Sequence, residues 1–453
     1  MAGLGIDGLV SGLKTSELID QLMAVEANQQ TLLKSKKTTT SSLVTALQTL
    51  NTKVASLATA AKTAATATSW QVVKATSSDT AIATATVGEG ATPSTLTFRV
   101  DAVAASQSTM YTLPAYYDGT PSFTLTAADG STQTLTAASS NITDVLAAFN
   151  ADGTGVKASA LNVGTAAEPQ YRLQLTGTET GAAHAFTLTA DNPLDGSSLT
   201  TQSIRSAADA RITLWPGTDA ESMVTSSTNV FEKLATGISV TAAKVGTEPI
   251  TVTVTRNDTA LSSLASGLVN NLNTVLSEIS SRTATSTSTA TDGTTRVTGG
   301  LFSGNTTIRL LQQELSKAGS ASFGSSTASA SQVGIVLNKD GTFTFDAEKF
   351  AEAMNADPAK VQQVITSIAT SLEKVASTAS DETTGTLTSQ VTTWRGEVDD
   401  LADRIASWDT RLTDRRAALV KTYANLEVAL SNLQSQSDWL TSQISQLNAN
   451  NSN

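Results

Sequence analysis

Apolar residues recur at alternating steps of four and three near both ends of the chain, and at steps of two in between. After the opening MAGLGIDGLVSGL, Leu18, Leu22 and Val25 fall on one helical stripe that Leu32 and Leu33 extend. Thr15 or Ser16 stands where a helix cap belongs, with Glu17 in the first turn. Lys34, Lys36, Lys37 and residues 38–42 interrupt the stripe, which resumes as Leu43, Leu47, Leu50, Val54 and Leu57. That is the heptad rhythm of a coiled-coil seam. The far end carries the longest pattern: Val391, Trp394, Val398, Leu401, Ile405, Trp408 and Leu412 keep the rhythm without a miss. Arg415 takes the next seam position, followed by Leu419, Tyr423, Leu426, Leu430, Leu433, Leu440, Ile444 and Leu447. Consecutive steps of four from Arg415 to Leu419 to Tyr423 form a stutter, which locally unwinds a supercoil.

Between the helical ends the period is two. Leu96, Phe98 and Val100 alternate with threonine and arginine, and the same pattern recurs at Phe123/Leu125, Leu173/Leu175, Phe186/Leu188, Ile238/Val240 and Ile250/Val252/Val254. These are half-buried strands, with turn signals at Asp129-Gly130, Asp152-Gly153 and Pro216-Gly217. One short helix is expected inside this region, capped by Asn141 or a preceding serine and carrying Ile142, Val145, Leu146 and Phe149 on one face. Helical spacing returns from Leu261 to Ile279 and near residues 306–318, with a Ser/Thr-rich stretch at 283–298 that reads as an exposed loop. A hairpin follows, Ile335/Leu337 and Phe343/Phe345 flanking Lys339-Asp340-Gly341. Asp346 then caps a helix with Phe350 and Met354, and Val361, Val364 and Ile368 follow Asp357-Pro358. The fold class is therefore α+β and multidomain: terminal helices in a coiled coil or bundle, with β-rich domains inserted between them.

Residues 391–447 as one helix would span roughly 85 Å, and each buried Leu or Trp on its seam contributes roughly 1.5–3 kcal/mol. A dozen exposed seam residues would make an intolerable apolar patch. The N-terminal heptads are the other long seam, so the two ends are expected to pair and to bury what remains of their stripe against other subunits. Beyond Glu427 the surface changes from charged to Ser, Gln and Asn, with Asp438 the lone charge. Such a helix is either an ordinary coiled coil or one packed among identical neighbours. The coincidence with the stutter favours the second.

Composition narrows the function. The 453 residues carry a net charge of −11, which argues against binding to nucleic acid or an anionic membrane. There is no cysteine, hence no disulfide, thiolate catalysis or Cys-based metal site. The N-terminus lacks a basic and an apolar region in the order of a cleavable signal, so a secreted fate needs another export route.

Candidate chemistry fares poorly. Gly3-Leu-Gly5-Ile-Asp-Gly8 spells GxGxxG but lacks the preceding strand a dinucleotide site needs, and reads as a leader. Asn338-Lys-Asp340-Gly341 lacks the spacing and terminal glutamate of a calcium loop, and reads as a turn. His184 is the only histidine and builds neither a zinc site nor a triad. Asp399 and Asp400 belong to a solvated helix face, and Trp394 and Trp408 to the seam rather than to a ligand. The sequons at Asn141 and Asn305 are what chance supplies in a Ser/Thr-rich chain. No catalytic, cofactor or metal residue is assigned; this reads as a structural assembly protein and not an enzyme.

The chain resembles the bacterial flagellar filament capping proteins, the flagellar hook-associated protein 2 family, nearly end to end. GIDGLVSGLKTSELIDQLMAVE (5–26) looks like the N-terminal signature, and TLTFRVDAVAASQS (95–108) like the strand after which the outer domain is inserted. NITDVLAAFNADGTGVKASAL (141–161) with YRLQLTGTETG (171–181) resembles the module shared by flagellin-like outer domains, and residues 209–242 resemble the next β segment. LFSGNTTIRLLQQEL (301–315), VGIVLNKDGTFTFDAEKF (333–350) and NADPAKVQQVI (355–365) are the most specific match; LEVALSNLQSQSDWLTSQISQL (426–447) resembles the terminal helix.

The resemblance implies a non-catalytic filament cap at the flagellum tip, required for elongation and motility. Such a protein leaves the cell through the flagellar export apparatus, without a cleaved signal peptide, and forms a ring-shaped homo-oligomer. Its other partners would be flagellin, filament or hook–filament junction proteins and an export chaperone, with no nucleic acid and no membrane. A filament or junction subunit and a secreted adhesin are the alternatives. The expected domains are a terminal leg (1–42 and 420–453), a helical domain (43–75 and 256–419) with a hairpin near 333–346, a β-rich domain (76–105 and 204–255) and an inserted flagellin-like domain (106–203). Leu18, Ile19, Leu22, Val25, Leu426, Leu430, Leu433, Leu440 and Ile444 are the expected contacts with subunits or flagellin. Leu43, Leu47, Leu50, Val54 and Leu57, with the seam residues from Val391 to Leu412, are expected to pair within the subunit.

Overall fold

A computed structural model describes residues 12, 14–114, 118–165, 170–194, 198–289, 291–320, 322–323 and 328–450, with the side chains of 322, 323, 328 and 447–450 excepted. The chain divides into two compact units, residues 1–70 with 259–453, and residues 71–258. N- and C-terminal helices and a β-rich middle are the architecture expected of the sequence.

The first unit is helical. Helices α1 (Thr15–Glu26) and α2 (Asn28–Ala65) come from the N-terminal segment. Beyond the β middle come α4 (Asp258–Thr283), α5 (Thr306–Ser320), α6 (Ala347–Ala356), α7 (Pro358–Ser380) and α8 (Thr386–Asn450); α3 lies in the other unit. Its core runs from Leu47, Leu50, Val54 and Leu57 of α2 through Leu261, Leu268 and Val275 of α4 to Val364, Ile365, Ile368 and Leu372 of α7. Trp70 closes the end of α2, its indole N–H donating to the Ala64 carbonyl at 2.9 Å. Asp346 caps α6 through the Glu348 and Lys349 amides, and Asp357 caps α7 with Pro358 at the first turn.

Three local readings are corrected. Residues 34–42 do not interrupt the second helix: α2 is continuous, and the break falls at Ala27. Its seam crosses the polar stretch through Gln30, Leu33, Lys37 and Thr40 before reaching Val44 and Leu47, with Gln30 and Thr40 buried. The cap position of α1 is Lys14 and not Thr15 or Ser16, because both are already helical. The 283–298 stretch is not loop but a two-stranded ribbon, Ser286–Thr289 against Thr295–Thr298, turning at Asp292-Gly293. The hairpin near 335–345 pairs Ile335 with Phe345 and Leu337 with Phe343.

Among its described residues the second unit holds fifteen strands: β1 (Val73–Ser77), β2 (Ala83–Val87), β3 (Ser94–Ala102), β4 (Ser108–Thr112), β5 (Ser122–Ala127), β6 (Thr132–Thr136), β7 (Val156–Asn162), β8 (Tyr171–Gly177), β9 (Phe186–Ala190), β10 (Thr200–Arg205), β11 (Ala210–Leu214), β12 (Ser222–Ser226), β13 (Val230–Ala235), β14 (Ile238–Ala242) and β15 (Ile250–Arg256). Every pairing is antiparallel. The larger sheet runs β1-β15-β3-β11-β12, and β13-β14-β2 packs with it over Phe98, Val100, Ile212, Val240 and Val252. Between β3 and β11, which are hydrogen-bonded neighbours, the chain leaves to build two further sheets, β10-β4-β8-β7 and β6-β5-β9. These enclose a separate core of Tyr111, Phe123, Phe149, Leu173, Leu175 and Phe186. Helix α3 (Ile142–Phe149), capped by Asn141, places Phe149 against Phe123 with ring centroids 5.2 Å apart.

Candidate functional site: the exposed terminal stripes

Helix α8 has 65 residues, roughly 98 Å at the usual rise. Its first part belongs to the helical core: Val391 is buried there, with Trp394 and Val398 half-buried against the same cluster, and Leu401 is buried further along. Further along the seam thins. Ile405, Trp408 and Leu412 are only half-buried, and Leu43 yields its core place to Val44. Trp408 carries the Arg411 guanidinium 4.6 Å from its ring centroid, a cation–π contact on the solvent side of the seam.

Polar contacts then take over. The Gln30 amide donates to the Ile405 carbonyl at 3.4 Å and to the Asp409 carboxylate. Lys36 pairs with Glu397 at 2.6 Å, Arg415 with Glu26 at 2.9 Å and Arg416 with Asp20 at 2.7 Å. These pairs fix the antiparallel register of α1 and α2 on α8. The seam arginine is thus an ion-pair anchor, and the helix is unbroken through the stutter. Lys36 also holds the Glu397 carboxyl below its usual range, by hydrogen bond first and charge second.

Helix α1 turns Thr15 and Ile19 inward, Ile19 to 5% exposure. Ile19 is already used inside the chain, so of the N-terminal contact residues only Leu18, Leu22 and Val25 remain open, at 39%, 41% and 68%. On α8, Leu430 is half-buried, while Leu426, Leu433, Leu440 and Ile444 are exposed. At about 100° per residue these five occupy an arc of about 80°. They continue the stripe that faces α1 further up. Val428 and Trp439, 62% exposed each, lie on the opposite side of the same helix. The heptad pattern did not single them out as contacts because they fall off its seam. Leu447 has its side chain outside the described residues, and so does the whole of Gly3–Gly8.

The rejected chemical motifs stay apart. His184 meets Glu179 at 3.2 Å on the surface, Asp340 accepts from the Thr342 amide and hydroxyl as a turn residue, and Asp400 faces Arg404 at 3.6 Å. Among the described residues, no helix is long and apolar enough to cross a membrane.

The chain thus holds a β-rich unit and a helical unit, and the end of its long terminal helix keeps an apolar stripe exposed among the described residues. Two sequence models agree on the family: that of the flagellar hook-associated protein 2 C-terminus matches residues 207–435, just over half the chain, and that of its N-terminus matches 11–107. The chain belongs to the flagellar hook-associated protein 2 family. Among solved structures it is similar to the D1-D2-D3 domains of the flagellar cap protein FliD from Escherichia coli. That match has a TM-score of 0.56 and 23% identity, covering 77% of this chain and 99% of that one. Smaller matches are the E. coli D2-D3 domains (24% identity, 41% and 100% covered, TM-score 0.36) and FliD from Pseudomonas aeruginosa PAO1 (19%, 45% and 98%, 0.38). No curated protein sequence matches.

Proposed function

We propose that this chain is a non-catalytic filament cap, an assembly chaperone that promotes flagellin incorporation and prevents monomer loss at the flagellum tip. The carrying observation is the pair of exposed stripes on the terminal helices, in a chain whose two ends both match the family. Residues 1–42 and 420–453 form the leg. Leu18, Leu22 and Val25, with Leu426, Leu430, Leu433, Leu440 and Ile444, occupy sites that flagellin or a neighbouring subunit covers. The chain works as a ring-shaped homo-oligomer, after export through the flagellar channel without a cleaved signal and with an export chaperone shielding its apolar ends until then.

The test is complementation of a bacterium lacking its own cap, with electron microscopy of the purified protein. The full chain is expected to restore filaments and motility and to form discrete rings. A chain without residues 1–40 and 425–453 is expected to restore neither. Full motility from the truncated chain, or open filaments of the pure protein in place of rings, refutes the proposal.

A further inference from the structure

The helical unit also carries a basic groove beside an unpartnered β-ribbon. The groove lies along α2 where it faces the end of α4 and the middle of α8, encloses about 710 Å³, and is lined by Lys34, Lys37, Thr38, Ser41, Arg282 and Ile405 among others. No carboxylate lines it, although the chain as a whole is at −11. Among the described residues Lys34 meets a neutral partner, the Gln30 amide oxygen at 2.9 Å. Lys37 has no acidic partner among the described residues. Arg282 shares a single carboxylate, Glu278, with Lys53, at 3.0 and 2.6 Å, so that cluster keeps one positive charge in excess.

The ribbon is rooted at the rim of this groove. It leaves α4 just after Arg282 and returns at Leu301, which also lines the groove; the Phe302 amide donates to the Arg282 carbonyl at 2.9 Å and the Ser303 hydroxyl to the Thr283 carbonyl at 3.0 Å. All eight strand residues are exposed, Val297 to 64%. With only two strands, each has one edge of unpaired amides and carbonyls. A two-stranded ribbon without a packed face is marginal in water, and an added strand supplies what it lacks.

We propose that this is a docking site for an extended, acidic segment of a second polypeptide, which adds as a strand to the ribbon and sets its carboxylates against Lys34 and Lys37. Shape and charge come from independent features: the open edges call for extended backbone, and the carboxylate-free groove calls for negative charge. The site shares no residue with the exposed terminal stripes, so its failure leaves the capping reading standing.

The experiment uses the full chain and a fluorescein-labelled peptide of alternating threonine and valine with two glutamates at one end. A lysine version serves as the control. Fluorescence anisotropy is expected to show saturable, salt-sensitive binding of the glutamate peptide alone. Amide exchange in residues 286–298 is expected to slow on binding. Lys34→Glu with Lys37→Glu should weaken binding at least about tenfold. Lys34→Gln with Lys37→Gln, gentler on the fold, should weaken it in the same direction. Absence of binding, equal binding of the lysine peptide, unchanged affinity in both double variants, or unchanged exchange in the ribbon each overturns the proposal. So does a single-stranded oligonucleotide that binds as well without protecting the ribbon, because the groove is then a site for any polyanion.

Discussion

Replacing Leu426, Leu433, Leu440 and Ile444 together by serine should abolish assembly while leaving the monomer folded. These side chains are 43%, 61%, 55% and 52% exposed, so about half of each remains to be buried by a partner. Full burial of a leucine or isoleucine contributes about 1.5–3 kcal/mol, which leaves about 0.8–1.5 each and about 3–6 for the four. That corresponds to a loss of association of order 10²–10⁴ per contact. The monomer loses little, since surface changes of this kind stay within about 0.5 kcal/mol apiece and these positions lie beyond the last α1–α8 ion pair. Mass photometry across a concentration series measures the oligomer, and urea unfolding followed by circular dichroism measures the fold. An unchanged oligomer population would refute the reasoning. A urea midpoint lowered as far as by a core cavity would refute it too, because the stripe would then be part of the subunit's own core.

Leu50, fully buried in the helical core, should cost about 2–5 kcal/mol as Leu50→Ala, read from urea unfolding of the helical unit. Gly334→Ala should cost about 2 kcal/mol or more, because the residue sits at φ 83° and a new Cβ would run into the Asp346 carbonyl; Gly341→Ala, at φ 84° with open space around it, should cost only about 1–2 kcal/mol in the same measurement. Glu278 titrates below the usual range, chiefly through the Lys53 hydrogen bond, which with Arg282 outweighs the opposing effect of burial. A lowered folded pKa means the stabilisation is complete above the ordinary glutamate value of about 4.3 and is lost as pH falls through the folded value. Urea midpoints of wild type and Glu278→Gln should therefore differ at pH 7 and converge below about pH 4; a constant gap would refute the assignment.

The β middle was legible where apolar and polar residues alternate. Leu96, Phe98 and Val100 are buried and their neighbours are not, because a half-buried strand writes its faces into alternate positions. The insertion of two sheets between β3 and β11 could not be read from alternation, which carries no information on which strands meet. The terminal helices were legible where their seam is apolar and illegible where it is not. Gln30, Lys37 and Thr40 hold seam positions, but by residue type they look like a break. On α1 the Leu18 stripe and the adjacent Ile19 position are both apolar, so periodicity could not say which one faces α8. The 286–298 ribbon left no apolar pattern because it buries none of its side chains.

The seam between the two ends weakens steadily outward. Near the core α2 contributes Leu57, Val54, Leu50 and Leu47, all fully buried. Next comes the polar stretch of Thr40, Lys37 and Gln30, where the contacts to α8 are the Gln30 hydrogen bonds to Ile405 and Asp409 and the ion pair of Lys36 with Glu397. Then come the solvent-exposed pairs of Glu26 and Asp20 with Arg415 and Arg416. Exposed ion pairs contribute roughly 0–1 kcal/mol, far less than a buried leucine. Beyond them α8 continues with apolar side chains that stay exposed among the described residues. Local opening free energies follow buried apolar contact, so the segment with the most unsatisfied apolar surface is also the one whose separation from α1 costs least. If the terminal helices act as the proposed leg, this gradient lets the tip exchange partners without disturbing the core that holds it. A uniformly leucine-rich seam would lack that gradient, because each buried leucine would hold the outer segment as firmly as the inner one.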